Sequence, residues 1–141
     1  MIPSPSLTDL RPILERHSAL PIDRLRVLSR FEDICLAEMQ RGILFVLAVW
    51  SGPAMIGLQR FTKVMNELPT DVLDLVILDY DCLTEDSAKQ LFGPEGFWAG
   101  GNGETIWVRN GLVAAREIAA PNGSEPVLLK HTQELLNTPA V

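Results

Sequence analysis

Ile43-Leu44-Phe45-Val46-Leu47-Ala48-Val49-Trp50-Ser51-Gly52-Pro53-Ala54 is the stretch on which the fold turns. Every residue from 43 to 50 is apolar. A strand with one face in water alternates polar and apolar; a strand covered on both faces does not. The run therefore predicts a central strand of an α/β sheet over 43–49. It is far too short to cross a bilayer, which takes about 20 apolar residues. Pro53 then suits the first turn of a helix, where its missing N–H had no partner to lose. Ser51 is a preferred N-cap. Met55, Leu58, Phe61, Met65 and Leu68 recur at helical spacing and give that helix an apolar stripe. Pro69 closes it.

Outward from this unit, the chain alternates strands and helices. Upstream, Ser6 to His17 predicts a short helix whose start Pro12 disturbs, and Pro21 ends it. Arg24 to Leu28 alternates polar and apolar and reads as a strand. Ser29-Arg30-Phe31-Glu32 has the capping-box pattern and predicts a helix to about Gln40, with Gly42 as its stop. Downstream, Val72 to Leu78 is a second central strand. Thr84-Glu85-Asp86 caps a helix that stops near Gly93-Pro94. Residues 93–103 hold Gly93, Gly96, Gly100, Gly101 and Gly103, with Phe97 and Trp98 among them. Glu104–Arg109 and Leu112–Glu117 flank Asn110-Gly111, the strongest short hairpin signal. Ser124 to Asn137 is a last helix, with Val127, Leu128, His131 and Leu135 at helical spacing. Parallel βαβ units followed by an antiparallel hairpin predict a mixed sheet with helices on both faces.

Composition narrows the function. The 141 residues are 47% hydrophobic and 21% charged, which suits one domain with its own core. A net charge of -6 and no visible basic patch argue against nucleic acid. The same charge suits a basic protein partner, or serves only solubility. Cys35 and Cys82 form no Cys-x-x-Cys pair and sit beside apolar neighbours, so both are expected to be buried free thiols. No metal-ligand spacing is present, and no cofactor motif either. The glycine segment Gly100-Gly101-Asn102-Gly103 precedes a strand, not a helix, and lacks the Gly-Lys-Ser/Thr of a phosphate loop. The N-terminus lacks the basic and apolar segments of a signal peptide, so the cytoplasm is the expected compartment.

Four segments, in order and at the right spacing, resemble the thioredoxin family. They are Leu28-Ser29-Arg30-Phe31-Glu32, Trp50-Ser51-Gly52-Pro53-Ala54, Leu78-Asp79-Tyr80-Asp81, and Ile106 to Val113 with its Asn-Gly turn. The resemblance covers roughly residues 24–137. It implies a thioredoxin-like three-layer sandwich in a single domain, 1–141, with 1–22 as an extension. The family's redox motif reads Trp-Cys-Gly-Pro-Cys. Here Ser51 and Ala54 stand where the two sulfurs should be. Thiol–disulfide exchange needs an acidic thiol to attack and a second to resolve the mixed disulfide. Neither residue supplies one. The family's buried proton-transfer Asp corresponds to Phe45, and its cis-proline to Glu104. A cis bond before a non-proline residue costs about 3 kcal/mol, so a trans peptide is expected there.

These substitutions imply a protein without thiol–disulfide oxidoreductase activity, with no catalytic residue assigned. It would act through protein–protein contact as an adaptor, an assembly chaperone, or an inhibitor or immunity protein. The expected contact surface is Trp50, Ser51, Gly52, Pro53, Ala54, Phe97, Trp98 and Glu104, at the end where thioredoxins grip extended peptides. Large aromatics on a loop are anchor-type residues, although Trp98 as an inward plug is the equal alternative. Trp107, in a central strand, reads as core. The alternative function is a glutathione-transferase-like enzyme that activates a thiol with Ser51; such enzymes keep the cis-proline and add a helical domain. A serine nucleophile would need a positioned base, and the histidines, His17 and His131, lie away from the motif. A third reading is a homodimer formed through Leu10, Ile13 and Leu14 of the first helix, if these do not pack on the chain's own sheet.

Overall fold

The computed structural model describes residues 5–28, 30, 35–48, 52–92, 104–117 and 124–137. Its elements are α1 (Pro5–His17), β1 (Arg26–Leu28), β2 (Arg41–Leu47), α2 (Gly52–Glu67), β3 (Asp74–Asp79), α3 (Glu85–Phe92), β4 (Thr105–Arg109), β5 (Leu112–Glu117) and α4 (Ser124–Leu136). The strands form one mixed sheet in the order β1-β3-β2-β4-β5. β1 and β2 each run parallel to β3, whereas β4 runs antiparallel to both β2 and β5. This is the α/β architecture that the strand–helix alternation predicts.

β2 lies at the centre, and its side chains go alternately to two cores. Ile43, Phe45 and Leu47 join Leu10 and Leu14 of α1, Leu58 and Phe61 of α2, and Leu128 and Leu135 of α4. Leu44 and Val46 join Met39, Val76, Leu78, Leu91, Ile106 and Val108 on the other face. Both faces of the strand are thus dry, which explains its unbroken apolar run. The stripe of α1 is used on the chain's own sheet: Leu10 and Leu14 are buried.

Several local expectations are corrected. α1 starts at Pro5 and continues through Pro12. Pro12 removes one intrahelical hydrogen bond, and the burial of Leu10 and Leu14 on either side holds the helix against that loss. The strand expected from Arg24 begins only at Arg26, because Ile22–Arg24 forms a 3-10 turn. The helix expected up to Gln40 is a 3-10 turn at Leu36–Glu38 in its described part; Ser29, Phe31 and Glu32 of the capping box, and residues 33–34 after it, lie outside the described residues. Gly42 is not a helix stop but the second residue of β2. A β-carbon there would run into Met39 Cε and come within 3.0 Å of the Asp74 carbonyl oxygen. Close approach to the neighbouring strand, not a left-handed turn, calls for glycine. Against the expectation of two buried thiols, Cys35 is exposed, just before the Leu36–Glu38 turn, and Cys82 is only half-buried, at the edge of the second core.

The hairpin follows its signal closely. Asn110 and Gly111 have φ of 51° and 80°, the left-handed pair that a two-residue turn needs. The turn is also tied to the chain before β2: the Asn110 and Gly111 amides donate to the carbonyls of Gln40 and Met39 at 2.7 and 2.8 Å.

Candidate functional site

The C-terminal ends of β2 and β3 and the start of β4 meet at one edge of the sheet. Leu47, the last residue of β2, pairs with Asp79, the last of β3. On the other side of β2, the Val46 amide donates to the Glu104 carbonyl at 2.8 Å. α2 begins immediately downstream, with Gly52 and Pro53 exposed and Ala54 fully buried. A β-carbon at Gly52 would meet nothing within 4 Å, so no close packing requires glycine at that position. The structure thus places Gly52, Pro53, Ala54 and Glu104 at the end of the sheet that the sequence marks as the site. Trp50, Ser51, Phe97 and Trp98, and with them the glycine-rich segment 93–103, lie outside the described residues. So does Gly103, and with it the peptide that joins it to Glu104.

The floor under the start of α2 is apolar. Phe45 is fully buried and stacks on Phe61 of α2, with ring centroids 5.2 Å apart. Ala54 and Leu58 belong to the same cluster. Phe45 is thus part of a hydrophobic wall. No group on Phe45 or Ala54 accepts or donates a proton.

Polar groups gather instead around the end of β3. Asp79 is 1% exposed; its Oδ1 accepts the Asp81 amide at 3.0 Å, and its Oδ2 meets no hydrogen-bond donor among the described residues. Glu104 is fully buried. Tyr80 is half-buried beside them, and its phenol titrates above its ordinary value: burial is the main cause, followed by the negative charges of Glu104 and Asp81. Asp79, Tyr80 and Phe61 were not singled out by the sequence reading. Asp79 and Tyr80 carried a signal, since they sit inside the Leu78–Asp81 segment of the resemblance. Phe61 carried none beyond its helical spacing. Among the described residues, no group of three or more His, Cys, Asp or Glu is arranged to hold a metal ion.

His131 lies on the face of the sheet covered by α4, with its ring against Trp107 at 4.9 Å between centroids. His17 of α1 shares a 2.9 Å hydrogen bond with Gln59 of α2. Trp107 is core, as expected, and its Nε1–H donates to Thr132 Oγ1 at 3.1 Å.

Solved structures share the fold. Mitochondrial thioredoxin 3 from Saccharomyces cerevisiae, in its oxidised form, matches 80% of this chain and 97% of its own, at 17% identity and a TM-score of 0.60. A poplar thioredoxin h matches 82% and 99%, at 18% identity and a TM-score of 0.61. The thioredoxin of Trypanosoma brucei brucei matches 81% and 92%, again at 18% identity and 0.61. The chain has the thioredoxin fold. No protein-family model and no curated protein matches the sequence.

Proposed function

We propose that this chain uses the thioredoxin fold without its redox chemistry and acts by binding another protein at the Gly52–Ala54 end of the sheet. The observation that carries this reading is the apolar floor of Phe45, Phe61 and Ala54 beneath the start of α2. Exchange chemistry needs a thiolate, a resolving thiol and a proton acceptor. Ser51 and Ala54 supply no sulfur, and Phe45 supplies no acid. The neighbouring structures are thioredoxins, so the chemistry they carry is the alternative that an assay must exclude.

The described surface at that end is Gly52 and Pro53; the aromatic residues Trp50, Phe97 and Trp98, which the sequence resemblance assigns to the same surface, lie outside the described residues. Aromatic anchors are the residue types that dominate binding energy in interfaces. The net charge of -6 favours a basic partner. An adaptor, an assembly chaperone and an inhibitor or immunity protein all fit this description, in the cytoplasm. Among the described residues, no helix is long and apolar enough to cross a membrane.

Two measurements test the proposal. Insulin reduction with dithiothreitol should stay at background; turnover well above it would overturn the reading. Affinity capture from native lysate should retain a stoichiometric partner on the wild-type chain and lose it with Trp50→Glu/Trp98→Glu. Equal capture by both proteins would move the contact surface elsewhere.

A further inference from the structure

We draw no further inference here: the strongest candidate, the cleft of about 360 Å³ between α1 and the edge strand β1, lined by Leu10, Leu14, Ile22, Leu25 and Val27, is an unpartnered apolar groove, and nothing in the structure shows what covers it.

Discussion

The rings of Phe45 and Phe61 stack with their centroids 5.2 Å apart and their planes 23° from parallel. One belongs to the central strand and the other to α2, so the pair joins the sheet to the helix that starts at Gly52. The stack puts a large buried contact at that joint.

Truncating either ring should be costly. Phe45→Ala or Phe61→Ala leaves a cavity between β2 and α2, and such changes cost about 3–5 kcal/mol. Urea denaturation followed by far-ultraviolet circular dichroism measures it. A loss below about 1 kcal/mol, the level of a tolerated volume-conserving swap, would mean that the stack is not the joint between helix and sheet.

The hairpin turn gives a sharper backbone test. Gly111 has φ of 80°, and an added β-carbon would lie 3.1 Å from Ala37 Cα and 3.3 Å from the Ala37 carbonyl oxygen. Gly111→Ala meets both a left-handed backbone and a close neighbour, so it should destabilise by at least about 1–2 kcal/mol. Asn110→Gly keeps the turn and should change stability far less. Equal midpoints for the two variants would contradict the geometry.

The Trp107–Thr132 bond predicts a coupling. Both groups are buried, with Nε1 and Oγ1 3.1 Å apart. Trp107→Phe or Thr132→Val each leaves one buried polar atom without its partner, at about 1–3 kcal/mol. In the double variant no orphan remains, so its loss should be smaller than the sum of the singles. Strict additivity in a double-mutant cycle would show that the bond contributes nothing.

How much of this was legible in the sequence depended on whether a segment is governed by periodicity or by distant contacts. β2 was legible because burial on both faces leaves an apolar residue at every position. α2 was legible from its stripe, and the β4–β5 turn from Asn110-Gly111, whose backbone needs are local. The segment before β2 was not: its capping box predicts a helix, yet Leu36–Glu38 is a 3-10 turn, and the hairpin amides bind the Met39 and Gln40 carbonyls just after it. That bond joins residues about seventy positions apart, which no local rule reads. Gly42 was misread for the same reason, since Asp74 supplies its constraint. At the site, Phe45 and Glu104 were identified as departures from the family. The stacking of one and the burial of the other follow from the register of β2 against its neighbours. The opposition of Arg41 and Arg109 left no trace in the sequence, because the two meet only through strand pairing.

Tyr80 is the only tyrosine in the chain, so its titration can be read without interference from another phenol. It sits at the end of β3, and burial, Glu104 and Asp81 together hold its proton above the ordinary value of 10.0. The folded protein thus keeps the phenolic proton to a higher pH than the unfolded chain. That difference stabilises the fold fully below the unfolded value and is lost as pH rises through the folded one. Stability should therefore decline as pH climbs above about 10, the ordinary tyrosine value. The phenolate absorbance should show a midpoint above 10.0 in the native chain, returning to 10.0 in urea. Glu104→Gln removes one of the opposing charges, so it should lower the native midpoint without bringing it to the unfolded value, because burial is the larger cause. A midpoint that does not move in a folded Glu104→Gln chain would mean that the Glu104 charge does not reach the phenol. The residues that follow β3 and precede β4 would then lack an electrostatic link.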